Sequence, residues 1–192
     1  MTSVSQELKK AFEGEIGINI LRNDALAAMA VATAIHADFI RVNVHIGAAV
    51  TDQGIIEGRA AETLRLRKNL YSKVKIFTDV AVKHAAPLGH REIEDETSDL
   101  SKRGFSDAII VSGNKTGDGV DLETLSRVKA SSSKPILLGS GVNIANIKNY
   151  LPLADGFIVG SYFKTNGKAD NFVDEERVAN FMKLHRKLVQ DL

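Results

Sequence analysis

Six short apolar segments alternate with segments of helical periodicity along the chain, and this succession limits the possible fold more than any other feature. A tight turn cannot join two neighbouring parallel strands, so each connection needs a helix that crosses over the sheet. The alternation therefore predicts an α/β fold with a parallel sheet. The predicted strands are residues 15–21, 39–45, 74–79, 108–111, 136–139 and 157–159, and the predicted helices are 3–12, 24–35, 58–70, 95–104, 121–130, 144–150 and 174–189.

A short motif of a small residue, an aspartate and an apolar strand occurs three times, at residues 37–42, 106–111 and 154–159. The three copies fall on the second, fourth and sixth predicted strands, as in an α/β barrel assembled from two-stranded units. The alternative is an open, doubly wound sheet. Such a sheet more often carries a Gly-rich nucleotide-binding turn after its first strand, and Gly14 and Gly17 do not form one. We therefore predict a TIM-type (β/α) barrel with six visible strands.

Composition and charge exclude several classes of protein. The 44% hydrophobic and 26% charged residues are ordinary for a globular chain, and no linker-like cluster divides it, so we predict a single domain over residues 1–192. With 25 basic and 24 acidic residues the net charge is +1, and we expect no nucleic-acid partner. The apolar stretch at 25–35 is too short to cross a bilayer, and the N-terminus lacks a secretory signal. We therefore expect no membrane insertion and a cytoplasmic location.

Two small-residue turns at the ends of neighbouring strands are candidate phosphate sites. Glycines let the backbone approach an anion closely, and a helix is predicted to follow the first turn and to add its positive end. Paired loops after the last two strands hold phosphate in many barrels. The alternative is that these glycines only permit tight turns. The candidate phosphate ligands are Gly139, Ser140, Gly141, Gly160 and Ser161.

Arg41, Asn43 and His45 alternate along the second predicted strand, so their side chains are expected on one face while apolar side chains lie on the other. The outer face of a barrel strand packs against helices, so the polar face should point inward. A buried arginine needs partners, which favours a binding or catalytic role over a purely internal polar network.

Asp79 ends the third predicted strand, and an amine and an imidazole follow it in the long connection 81–94. Together with His45 these groups can form a general acid–base group. A metal site is a weaker alternative because no zinc-type motif is present, and surface loop polarity is another; we expect no metal, and no residue pattern identifies a cofactor. The candidate catalytic residues are Arg41, Asn43, His45, Asp79, Lys83 and His84, and the candidate substrate-binding residues are Asn19 and Asn114.

Four long segments, at residues 17–27, 38–45, 51–60 and 82–85, resemble the BtpA family in the same order along the chain, and segments at 139–142 and 154–161 extend the resemblance to nearly the whole sequence. The resemblance implies a TIM-like barrel of the ribulose-phosphate-binding type. The family is named for a factor that photosystem I needs for stable accumulation, and the resemblance implies no particular reaction.

The resemblance also implies two further strands before the first helix of this chain. A six-stranded sheet would leave two edges exposed, so we expect a homo-oligomer that covers them, or the helix at 3–12 packed across the opening. The leading interpretation is a barrel that binds or acts on a small phosphorylated metabolite. The alternatives are a non-catalytic assembly or stability factor, as for photosystem I, and a truncated inactive relative.

Overall fold

A computed structural model describes residues 1–52, 54–81, 85–89, 91–113 and 119–191 of the chain. Its strands are β1 (Gly17–Ile18), β2 (Phe39–Val42), β3 (Ala48–Thr51), β4 (Gly54–Glu57), β5 (Lys75–Val80), β6 (Ala85–Pro87), β7 (Ala108–Val111), β8 (Ile136–Leu138) and β9 (Gly156–Phe157). Its α-helices are α1 (Thr2–Ala11), α2 (Ala25–Ala34), α3 (Ala60–Asn69), α4 (Ile93–Lys102), α5 (Leu122–Ser131), α6 (Ile147–Tyr150) and α7 (Glu175–Gln190).

The six predicted strands form one parallel sheet in the order β1-β2-β5-β7-β8-β9, which is also their order along the chain. Each connection crosses over through a helix, as the alternation predicts. The sheet curls into a half-barrel. The prediction of a TIM-type α/β fold with six visible strands is therefore confirmed.

The repeated aspartates pin consecutive strands together. Asp38, Asp107 and Asp155 each accept a hydrogen bond, of 2.7 to 2.8 Å, from a backbone N–H close to the start of the preceding strand of the sheet. The backbone N–H of each aspartate in turn donates to the carbonyl of the residue whose N–H its side chain accepts. A basic side chain from the preceding helix completes each arrangement. The three sets are Ile16–Asp38–Lys9, Ile76–Asp107–Arg67 and Ile136–Asp155–Lys129.

Aspartates also fix the starts of three helices. The side chains of Asp24, Asp121 and Asp174 accept hydrogen bonds of 2.8 to 3.1 Å from backbone N–H groups in the first turns of α2, α5 and α7. Such caps satisfy donors that a helix N-terminus leaves without an intrahelical partner. The start of each of these helices is thereby set by local sequence.

The apolar core lies between the outer face of the sheet and the helices. Ile40, Ile76 and Ile109 are fully buried on that face, and Met29 of α2 and Leu125 of α5 pack against it. Burial of a large aliphatic side chain contributes about 2 kcal/mol, so this layer supplies much of the stability. The inner face of the sheet is thus left available for polar side chains.

A second, antiparallel sheet joins the two long connections of the chain. β3 pairs with β4 as a hairpin, and β6 pairs with the other side of β3. We predicted no strands in these connections, because three- and four-residue strands carry little periodic pattern and β6 lies more than 30 residues beyond its partner. The second sheet places the connection after β2 beside the connection after β5.

The edges of the half-barrel are β1 and β9, and neither has a second neighbour in the described part of the sheet. Helix α1 carries an apolar stripe of Val4, Leu8 and Phe12, whose exposed fractions are 66%, 55% and 56%. An expected packing of α1 across the opening would bury this stripe, so that expectation is wrong. Within the described ranges, no helix combines the length and the apolar character that crossing a membrane requires.

Candidate ligand-binding cavity

A cavity of about 570 Å³ opens at the carboxyl ends of the parallel strands, inside the half-barrel. Residues that follow or end all six strands contribute to its lining, from Asn19 after β1 to Gly160 after β9. Thr51 and Ile56 of the second sheet form one further wall. The carboxyl ends of the strands are where barrel proteins place their ligand sites.

Arg41 and Asp79 form a bidentate ion pair in the floor of the cavity. The Arg41 Nε and Nη2 atoms donate to the two Asp79 carboxylate oxygens over 2.9 and 2.6 Å. Asn43 donates a third hydrogen bond of 2.9 Å to the same carboxylate. The register of β2 with β5 pairs Val42 with Thr78, so Asn43 follows at the level of Asp79. The sequence prediction that these polar side chains point into the barrel is confirmed for Arg41, Asn43 and Asp79.

Burial and hydrogen bonding act in opposite directions on Asp79. Its side chain has no exposed surface, and this burial raises the pKa of the carboxyl above its usual value. The hydrogen bonds from Arg41 and Asn43 oppose that rise. Both carboxylate oxygens already accept hydrogen bonds, so Asp79 is best suited to hold Arg41 and Asn43 in place.

Asn19 and Ser112 extend this network on its two sides. The Asn19 side-chain amide donates to the Arg41 carbonyl over 3.0 Å and lies 3.4 Å from the Asn43 side-chain oxygen. The Ser112 hydroxyl lies 3.5 Å from the Asp79 carboxylate. Asn19 therefore lies in the cavity as the sequence predicted, within a chain of polar contacts that crosses four strands.

His45 does not join this network, so the expectation that His45 and Asp79 face one cavity is wrong. Strand β2 ends at Val42, and the alternation of side chains does not continue through the bend that follows. The His45 Nε2–H donates to the Gly104 carbonyl over 2.9 Å, and the ring is buried away from the cavity lining. Burial lowers the pKa of His45, which keeps the ring neutral at pH 7. An acid–base pair of His45 with Asp79 has no geometric basis.

The two small-residue turns predicted to bind phosphate line the opposite side of the same cavity. Gly139, Ser140, Gly141, Gly160 and Ser161 all contribute to the lining. Gly139 has a packing reason as well, because a Cβ there would lie only 2.5 Å from the Ser112 hydroxyl oxygen. Gly141 has a φ of 71°, a left-handed conformation that glycine adopts without strain.

The helix expected at 144–150 begins later than predicted. α6 is a single turn from Ile147, because the Asn146 side chain accepts a hydrogen bond of 2.8 Å from the Asn143 backbone and donates one of 2.8 Å to the Gly141 carbonyl. These bonds close a compact turn in front of the helix. The positive end of a long helix therefore does not support the phosphate turn. Gly141 and Val142 keep backbone N–H groups that donate to no described residue.

Two cavity residues, Tyr162 and Arg177, were not predicted from the sequence. Tyr162 lies in the turn after β9, and Arg177 in the first turn of α7 places its guanidinium 4.5 Å from the centre of the Tyr162 ring. Arg177 shares its helix with other basic residues, and no spacing or motif distinguishes it. Arg22, on the other side of the cavity, pairs with Asp52 over 2.8 Å. Lys83, His84 and Asn114, three of the predicted site residues, lie outside the described residues.

The fold and the cavity together define a TIM-barrel-type α/β protein with a polar-lined cavity at the carboxyl ends of its strands. Within that class the chain belongs to the BtpA family, which it matches over residues 1–187. The family resemblance seen in the sequence is confirmed.

Similar proteins agree with this assignment. An uncharacterised protein of Methanocaldococcus jannaschii is 45% identical over 188 residues, which are 98% of this chain and 71% of that protein. The photosystem I biogenesis protein BtpA of Synechocystis is 42% identical over 184 residues, which are 95% of this chain and 64% of that protein. The solved structure of phosphoribosyl anthranilate isomerase from Thermus thermophilus matches with a TM-score of 0.66 at 8% identity, covering 98% of this chain and 81% of that one. A likeness at so low an identity concerns the fold alone.

Proposed function

We propose that this chain binds a small phosphorylated metabolite in the cavity of the half-barrel. The phosphate lies against the turn of Gly139, Ser140 and Gly141 and the neighbouring turn of Gly160 and Ser161. One observation carries the proposal: these turns face the same cavity as the Arg41–Asp79–Asn43 network, so an anion site and a polar site lie within one space. Backbone N–H groups of Gly141 and Val142 without described acceptors add support.

The floor of the cavity recognises the part of the ligand away from the phosphate. Both carboxylate oxygens of Asp79 already accept hydrogen bonds, so the groups that the cavity floor offers to a ligand are the N–H donors of Arg41 and Asn43. Such donors suit hydroxyl, carbonyl or carboxylate oxygens. The proposed ligand is therefore an oxygen-rich, sugar-like phosphate, and the network orients it.

A substitution at Gly141 tests the phosphate site. In Gly141→Asp, a carboxylate stands where the anion is proposed to bind, and inorganic phosphate binding should fall below detection. Gly141→Asn is the matched control, because asparagine has nearly the same size and also tolerates a positive φ but carries no charge. Isothermal titration calorimetry with inorganic phosphate and with glycerol 3-phosphate measures both variants against the wild type.

The two outcomes are distinct. Loss of binding in Gly141→Asp with retention in Gly141→Asn supports the site, provided that both variants keep the wild-type circular dichroism spectrum. Equal affinity of Gly141→Asp and the wild type for phosphate would overturn the proposal, as would a wild-type chain that binds neither probe.

We further propose that the chain forms a homo-oligomer. The edges of β1 and β9 present unpaired backbone groups, and the apolar stripe of α1 is more than half exposed. Contact between copies would cover these surfaces. The alternative is a role in photosystem I biogenesis, as named for the Synechocystis relative, and the features described above favour ligand binding.

A further inference from the structure

The cavity lining contains three arginines, and their ionic partners differ. Arg41 is paired with Asp79, and Arg22 is paired with Asp52. Across the described ranges, no carboxylate lies within ion-pair distance of Arg177. The positive charges of the first two are thus already neutralised by the protein, whereas that of Arg177 is not.

The guanidinium of Arg177 is held in a defined position despite lacking an ionic partner. Its Nε donates a hydrogen bond of 2.6 Å to the Tyr162 carbonyl, and the group stacks over the Tyr162 ring. The Asp174 side chain fixes the backbone of Arg177 by accepting its N–H over 3.1 Å. With Nε engaged, the two Nη groups remain as donors.

Those donors lie beside the proposed phosphate turns. Arg177 and Tyr162 line the cavity together with Gly160 and Ser161. Gly167 lines it too and lies beside the Arg177 Nη2, where an added Cβ would be in van der Waals contact at 3.7 Å. A preorganised guanidinium with free donors matches the oxygens and charge of a phosphate monoester.

We propose that Arg177 is the charged anchor of the anion site and selects phosphorylated ligands. This inference rests on the proposed function. The turns at Gly139–Gly141 and Gly160–Ser161 contribute backbone N–H groups, which carry no net charge. Arg177 supplies the positive charge that compensates a phosphate dianion for its lost hydration. The ligand class is a phosphate monoester whose phosphate is bound between the Gly139–Gly141 turn and the Arg177 guanidinium.

Charge removal at Arg177 tests the inference. Arg177→Gln should weaken binding of glycerol 3-phosphate about tenfold or more, the value expected for losing a charge-assisted hydrogen bond. Arg177→Lys, which keeps the charge without the planar group, should bind with intermediate affinity. Arg186→Gln is the matched control, since it removes the same charge from an exposed position of the same helix and should bind as the wild type does.

Each result of the calorimetric titration decides the matter. Wild-type affinity in Arg177→Gln would overturn the role of Arg177 and leave the Gly141 result, and with it the proposed function, intact. An equal loss in Arg177→Gln and Arg186→Gln would also overturn it, because the effect would then be one of overall charge. If Arg177→Gln does not fold, Arg177→Met retains the aliphatic packing over Tyr162 and is measured instead. Failure of the wild type to bind any phosphate probe would remove both proposals.

Discussion

Breaking the ion pair in the cavity floor should be costly to the fold. Replacing Asp79 with leucine removes the acceptor for two hydrogen bonds from Arg41 and one from Asn43. Loss of one partner of a buried ion pair typically costs 3–5 kcal/mol, roughly, because the remaining charge is left uncompensated. Arg41 keeps 24% of its side-chain surface exposed to the cavity, and water there can hydrate it in part. We therefore expect a loss at the lower end, about 3 kcal/mol.

A double-mutant cycle separates the pair from the rest of each side chain. Arg41→Met alone leaves the fully buried Asp79 carboxylate without its countercharge, although Asn43 and Ser112 still donate to it, so it should cost at least as much as Asp79→Leu does. The double variant replaces both charges with apolar side chains, and should be more stable than Asp79→Leu alone by about 1 kcal/mol or more. Urea unfolding followed by circular dichroism measures the free energy of unfolding of all four proteins, with an unchanged m-value as the check on comparability.

The reasoning would be refuted by strict additivity. If the double variant loses the sum of the two single losses, the charges are not coupled and the hydrogen-bond geometry has no energetic meaning. A loss below about 0.5 kcal/mol in Asp79→Leu would be equally damaging, because that is the value of an ordinary surface substitution.

Two further predictions concern pH and assembly. Burial holds the pKa of His45 in the folded chain below the unfolded value of about 6.5, so on acidification the unfolded chain binds a proton before the folded chain does. The stability contributed by neutral His45 is therefore fully present above about pH 6.5 and is lost as the pH falls toward the pKa of the folded chain. Urea unfolding at pH 7.5 and 5.5 should show this loss in the wild type and a smaller one in His45→Gln; equal losses would contradict it. Sedimentation velocity at micromolar concentration should show an oligomer covering the β1 and β9 edges, and a stable monomer would be the contrary result.

The parallel strands, their connecting helices and the two small-residue turns of the cavity could be predicted because their sequence signals are local. Each parallel strand is a run of apolar residues next to a helix with its own period, and the turns at Gly139–Gly141 and Gly160–Ser161 are readable from small residues at strand ends. The threefold aspartate motif is visible in the sequence as a repeat. Its physical reason is a reciprocal pair of hydrogen bonds between each aspartate and the backbone of one residue, together with a cation from the preceding helix, and these contacts arise only in the folded chain.

What sequence reasoning missed depends on distant contacts or on where a strand stops. The assignment of His45 failed because the predicted strand continued to residue 45, whereas β2 ends at Val42 and the side-chain alternation ends with it. Arg177 reaches the cavity from a helix that begins more than 30 residues after Gly139, and only the fold brings the two together. The second sheet likewise arises from pairing between separate connections.

The contacts that stabilise the sheet and the proposed binding site lie at opposite ends of the same strands. The aspartates Asp38, Asp107 and Asp155 act at the amino ends, where they tie each strand to its neighbour and to a helix. The Arg41–Asp79–Asn43 network and the small-residue turns act at the carboxyl ends, around the cavity. Because a parallel sheet directs all its carboxyl ends to one side, polar side chains from six strands converge there without weakening the apolar layer outside. The chain can therefore maintain its fold through repeated contacts at one end, while non-repeated residues at the other end form the proposed binding site.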